Sequence, residues 1–288
     1  MKMRKFKNFL FHFFLFSSAV IVLFPLFLVV QYLFAQGAGS LDLDFFTQVS
    51  KPVGEEGGGM FHAIVGTTVL VGIGALIAVP LGLLAGIFLS EFEDGKVANT
   101  LRLTIDLLTG VPSIVIGIFA YILIVVPFKN FSALAGGVAL SLIILPIVTR
   151  STEEILKLIP IHIREAGLAL GLPKWKVTFF IIVKTNLGSL LTGIMLAISR
   201  AAGETAPLLF TAFGSRFLSL NLTEPMASLP VQIYNYAISP FEDWQRQAWA
   251  GAFVLIAIVL GLNLSARAIV NYKEVTQFFD SLFKRKRS

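Results

Sequence analysis

The sequence has no cysteine in its 288 residues. That excludes disulfides, thiolate metal sites and a cysteine nucleophile. Histidine is nearly as scarce: His12, His62 and His162 lie far apart, with no H-E-x-x-H pair and no G-x-S-x-G nucleophile elbow. A G-x-x-x-x-G-K-[ST] phosphate loop is also missing, so the chain carries no recognisable means of hydrolysing ATP. Charge is sparse as well. Asp, Glu, Lys and Arg make up 14% of the residues, where a soluble domain has about a quarter.

What fills the chain instead is hydrocarbon. Hydrophobic residues account for 56% of it and the mean hydropathy is +0.83. The 27 Phe outnumber five Tyr and three Trp, adding apolar bulk without a polar atom that needs a partner in lipid. Such a chain belongs in a bilayer. Its net charge of +6 does not point to nucleic acid, because Lys and Arg cluster beside the apolar segments, as expected where cytoplasmic flanks collect positive charge.

A spanning helix needs about 20 mainly apolar residues. Six segments qualify, at 11–34, 61–89, 104–127, 133–149, 187–210 and 248–270. The first follows a basic segment, 1–10, as a secretory signal would. Its apolar run from Phe9 to Phe34 exceeds the roughly 7–15 residues of a signal core, which favours a retained helix. With the N-terminus inside, seventeen Lys and Arg fall on cytoplasmic flanks and only Lys51, Lys129, Arg216 and Arg246 fall outside. Both termini, including the basic tail 271–288, are therefore expected in the cytoplasm. The segment 35–60, acidic at Glu55 and Glu56, is an external loop, as is 211–247; Trp244 and Trp249 suit interfacial anchors. "SEFEDGK" is acidic for a cytoplasmic loop, although Asp and Glu weigh little in the orientation rule.

The second span carries Gly66, Gly72, Gly74, Gly82 and Gly86, the last two as G-x-x-x-G, a spacing that lets helices approach closely. Pro80, Pro112 and Pro146 mark points where a helix kinks or bends. The loop 150–186 reads as two short helices. Ser151 and Glu154 fit a capping box, Pro160 ends that helix, and a second runs from Ile161 to a stop at Gly171 before Pro173. The second helix combines Glu165 with Ala166, Gly167, Ala169 and Gly171. Small side chains let another protein's backbone come close, and one carboxylate sets a register. The alternative is an amphipathic helix on the headgroups, whose polar face would be richer in Lys and Arg.

The fifth span ends in "ISRAAGETAPLLF". There Arg200, Gly203, Glu204 and Pro207 follow i, i+3, i+4, i+7 and predict one helix face with both charges on it. Arg200 falls about 20 Å along that helix from Leu187. A lipid-facing Arg at such depth costs at least about 2.5 kcal/mol, so both charges are expected to face protein or water. They form an intrahelical ion pair, or they line a substrate path: a guanidinium suits phosphate-like oxyanions, Gly203 leaves room, and Pro207 allows a bend.

"EAGLALG", then nine residues and Ile181, resembles the E-A-A-x3-G-x9-I-x-L-P loop of permease subunits in bacterial ATP-binding-cassette importers, with Gly167, Val183 and Lys184 departing from the pattern. "GVPSIVIGIF", "LPIVTRSTEEILKLIP" and "RAAGETAPLLFTAFG" extend the resemblance over about residues 60–270, and G-E-T-A-P-L-L is similar to PstA-type phosphate permeases. The resemblance implies an all-α membrane fold of about six spans. The first helix would be peripheral to a core at 61–270, and Glu165, Ala166, Gly167 and Gly171 would couple the chain to an ATPase. It implies Arg200 and Glu204 as pathway residues, with Gly203, Thr205 and Pro207 supporting them. Arg150 in "TRSTEE" becomes a second pathway candidate, beside its plainer reading as a positive-inside anchor.

The implied partners are a similar PstC-type permease, a PstB-type ATPase dimer holding ATP and Mg, a PstS-type external phosphate-binding protein, and lipid of the bacterial inner membrane. No cofactor or metal is expected on this chain. Rocking of the spans would then give alternating access. The main rival is an ion-coupled secondary anion transporter with Glu204 as proton relay, which leaves the coupling loop without a purpose.

Overall fold

The computed structural model describes the backbone of residues 2–52, 55, 57–92 and 95–284, and side chains within them except at 2, 266, 267 and 269–284. Glu56, Glu93, Asp94 and Arg285 to Arg287, all used in the charge reading, lie outside the described residues. Among those described, the secondary structure is helical throughout.

The first helix, α1 (Lys2–Gly37), is apolar beyond its basic first turns, and near its end Tyr32 meets Trp249 and Phe34 meets Phe253. After the short α2 (Leu43–Thr47), capped by Asp42, comes α3 (Phe61–Glu91). Next are α4 (Lys96–Gly110) and α5 (Ser113–Phe128), then α6 (Ala133–Lys157). Among the described residues four helices are long and apolar enough to cross a membrane, or up to six if each bent pair counts as one span. The chain is a multi-pass membrane protein, and six is the number its hydropathy predicts.

The third and fourth spans differ from expectation. The third begins earlier, at Lys96, and turns by 105° between α4 and α5. Pro112 sits at the turn with φ −57°, and the residue before a proline avoids helical backbone, so Val111 is extended and the helix restarts at Ser113. The fourth is longer than 133–149. Helix α6 continues unbroken to Lys157, so Ser151 and Glu154 do not form a capping box; the Ser151 hydroxyl donates to Val148 O at 3.1 Å within the helix. Strong helix formers Glu153, Glu154, Leu156 and Lys157 carry the helix on.

The core is the pair α3 and α6. A β-carbon on Gly82 would stand 2.9 Å from Val148 Cβ, and one on Gly86 would stand 2.5 Å from Thr152 Cβ. The G-x-x-x-G pair thus brings two backbones together, where dispersion rather than a hydrophobic drive holds helices in lipid. Leu70, Leu140, Ile144 and Val148 are buried in that seam, and Ala197 and Ala201 pack onto it from the fifth span. Pro80 and Pro146 lie inside continuous helices.

The remaining elements are α7 (Ile161–Ala169), α8 (Lys174–Val183), α9 (Leu187–Ala202), α10 (Ala206–Thr211), α11 (Leu229–Ala237) and α12 (Glu242–Lys284). A 74° bend separates α8 from α9. The irregular backbone between α10 and α11 is tied down by protein partners: Ala133 N donates to Glu224 O at 3.0 Å and Leu229 N to Thr67 Oγ1 at 2.7 Å. Backbone outside helices that is shielded from water needs partners of this kind. Trp244 is not a free anchor: it stacks on Tyr236 with centroids 4.5 Å apart.

Candidate functional site

The fifth span does not run through to residue 210. Helix α9 stops at Ala202, Gly203 caps it, and α10 begins only at Ala206. Pro207 has no N–H for the Gly203 carbonyl and its ring would clash with that carbonyl in a continuous helix, so the break falls between them. Gly203 N donates to Arg200 O and Glu204 N to Ala201 O, each at 3.2 Å, closing the last turn tightly. The single face expected for Arg200, Gly203, Glu204 and Pro207 therefore does not form. With the i+4 register gone, Arg200 and Glu204 make no ion pair; neither side chain has a hydrogen bond to the described residues.

Both line one cavity of about 150 Å³, with Thr109, Val111, Pro112 and Ser113 from the α4–α5 bend and Ile143, Pro146 and Ile147 from α6. Two broken spans thus meet at one hollow. Arg200 occupies the last turn of α9, where unpaired carbonyls favour a cation. Gly203 is exposed, and a β-carbon there would find only Arg200 O, at 3.7 Å. Pro207 is buried against Gly117 of α5, whose β-carbon would stand 2.6 Å from Pro207 Cα. Thr205 precedes α10 and accepts from Leu209 N through its carbonyl.

Arg150 lies elsewhere. Its guanidinium pairs with Glu153 and Glu154, each at 3.2 Å. Glu153, which drew no attention in the sequence, is the buried member of this cluster. It also receives Arg102 Nε at 2.6 Å and Lys157 Nζ at 2.8 Å. Arg102 donates as well to Leu89 O at 2.9 Å, so the cluster joins α3, α4 and α6. The i−3 and i+4 spacing of Arg150 and Lys157 about Glu153 was readable; the contact with Arg102 was not.

The loop helix α7 matches its expected span, and Gly171 takes φ +79°, the left-handed conformation of a helix stop. Glu165 and Ala166 are exposed. Gly167 is buried instead: a β-carbon there would stand 2.9 Å from Val177 Cγ2, so its smallness serves the packing of α7 on α8 rather than contact with an outside protein. Around α7, Leu158 and Leu170 are 83% and 80% exposed, and Ile161 and Trp175 are exposed too. Beside this apolar rim lies a groove of about 600 Å³ lined by Glu91, Lys157, Arg164, Glu165 and Lys174. Arg164 is held there by Glu91 at 3.2 Å and by the carbonyls of Ile159 and Leu156. Among the described residues no group of three or more His, Cys, Asp or Glu is placed to hold a metal ion.

A family model described as binding-protein-dependent transport system inner membrane component matches residues 78–274. The chain belongs to that family. Among its relatives, the phosphate transport system permease protein PstA of Haemophilus influenzae is 44% identical over 258 residues, 89% of this chain and 91% of the relative. PstA of Yersinia pestis is 44% identical over 261 residues, 89% and 88% of the two chains, and PstA 1 of Mycobacterium tuberculosis H37Rv is 37% identical over 271 residues, 92% and 88%. In fold, the chain is similar to one in an inward-facing structure of the MetNI methionine ABC transporter, with a TM-score of 0.59 and 17% identity over 74% of this chain and 93% of that one. The importer-permease architecture implied by the sequence motifs is thus the observed one. Family membership sets aside the ion-coupled secondary transporter with a Glu204 proton relay, because this family works with a binding protein.

Proposed function

We infer that the chain is a permease subunit of an ATP-driven importer of inorganic phosphate and forms half of the translocation pathway. Its substrate comes from the PstA relatives, each described as part of a phosphate transport system. The observation that carries the pathway is the unpaired Arg200 beside Glu204 in a cavity between two broken spans. Arg200 is exposed in this chain, so its guanidinium is open to an anion, and its planar donors suit phosphate oxygens. Arg200 contacts the phosphate and Glu204 balances or gates it. Arg150, already held by Glu153 and Glu154, acts at most by adding positive field near the loop end of α6.

The same reading places both termini and the 150–186 loop in the cytoplasm, following the basic flanks. An ATPase dimer with ATP and Mg seats on α7, covering Leu158, Ile161, Leu168 and Leu170, with Glu165 as its charged contact. Anion entry into a negative cell is opposed by about 2.3 kcal/mol per charge per 100 mV, which nucleotide turnover on the partner supplies. A sister permease forms the other half of the path, and an external binding protein delivers phosphate.

Arg200→Gln tests the reading. Phosphate uptake is expected to fall to background while the variant still copurifies with its ATPase and sister subunit. Uptake at the parental rate would remove Arg200 from the pathway, and copurification without any ATPase would remove the energy source.

A further inference from the structure

The cavity beside Arg200 holds one more polar group, to which no role has so far been given. Ser113 opens α5 directly after the bend and lines the cavity, and its hydroxyl has no hydrogen bond to the described residues. The neighbouring hydroxyl, on Thr109, already donates to Ile105 O at 2.9 Å, so only acceptor capacity remains there. Most of the other lining side chains are apolar. Three unsatisfied groups of complementary character therefore share a small space: Arg200 donates only, Glu204 as a carboxylate accepts only, and the Ser113 hydroxyl turns either way. Arg200 is exposed and Ser113 and Glu204 are half-buried, so all three are open to a ligand or water that supplies the missing partners. The volume equals that of about five water molecules. By volume there is room for a small oxyanion.

We propose that Ser113, Arg200 and Glu204 form a transient station for a tetrahedral oxyanion that still carries a proton, with Ser113 a specificity-determining contact. Arg200 and Ser113 donate to the ionised oxygens, and Glu204 accepts the remaining O–H of the anion. A fully ionised oxyanion such as sulfate has no hydrogen for Glu204 and meets its negative charge unrelieved. The proposal rests on the pathway reading above and adds to it a residue and a basis for selection.

The absence of native cysteine makes a direct test available. Ser113→Cys introduces a single thiol of nearly the same size into the chain. In the assembled transporter in lipid nanodiscs, a small anionic methanethiosulfonate is expected to modify it, read by the mass of this chain. Excess inorganic phosphate should slow that modification several-fold, and sulfate at the same ionic strength should not. In proteoliposomes with binding protein and ATP, Ser113→Ala is expected to lower phosphate transported per ATP hydrolysed by roughly 10-fold, the size of one lost hydrogen bond to a charged group, and Ser113→Thr to restore most of it. An unreactive thiol, equal protection by sulfate, no protection by phosphate, or an unaltered transport ratio in Ser113→Ala each overturns the proposal. Arg200→Gln separates the two readings: normal transport by that variant sinks the pathway itself, whereas its failure beside a normal Ser113→Ala sinks only the role of Ser113.

Discussion

Glu153 and Arg200 are both ionised side chains on core spans, yet their surroundings are opposite. Around Glu153, Arg102, Arg150 and Lys157 converge within 3.2 Å on a carboxylate whose side chain is 2% exposed, and the helix carrying it is continuous. Around Arg200 the helix stops two residues later, the neighbouring span bends by 105°, and among the described residues no side chain pairs with the guanidinium. The first arrangement satisfies the buried carboxylate from within and so behaves as a strut between helices. The second leaves donors and an acceptor open around a hollow, which makes sense for a group that meets something passing through. On the proposed pathway, completeness of pairing, rather than the presence of charge, separates structure from transport.

Arg200→Gln should break the comparison most sharply, removing uptake by at least about 100-fold while leaving thermal stability within about 0.5 kcal/mol, because no native contact is lost. Uptake assays and the melting temperature of the purified assembly check the two halves. Glu153→Ala should do the reverse in kind: it strands three cations and lowers stability by about 2 kcal/mol, less than for a fully buried pair because Arg150 and Lys157 reach solvent. A melting temperature unchanged in that variant would show that the cluster is no strut. Gly203→Ala carries the smallest expectation. Its backbone is near φ −93° and its surroundings are open, so stability should stay within about 0.5 kcal/mol in a thermal melt, and a large loss would mean that the break at Ala202 depends on glycine itself.

Local spacing carried much of this into the sequence. Gly82 and Gly86 are four apart, so their shared face and its close packing were readable, as was Gly171 as a helix stop before Pro173. Arg200 and Glu204 were conspicuous against hydrocarbon. What spacing could not convey were events set by distant partners. Glu153 meets Arg102 across 51 residues. Gly167 looked like part of an outward docking face and is turned onto Val177. The helical register from Arg200 to Pro207 was assumed continuous because apolar residues flank it; the clash of Pro207 with the Gly203 carbonyl decided otherwise. The cavity itself exists only because two breaks, at Val111–Pro112 and at Gly203–Thr205, come together in space.

The central claim is that Arg200 is kept for a travelling anion and not for Glu204. Phosphate uptake by the double variant Arg200→Gln with Glu204→Gln, in an assembly that still contains its ATPase, tests this most directly. Uptake as low as that of Arg200→Gln alone is the expected result. Recovery toward the parental rate on neutralising both charges would show that the two residues serve one another, and would contradict the account.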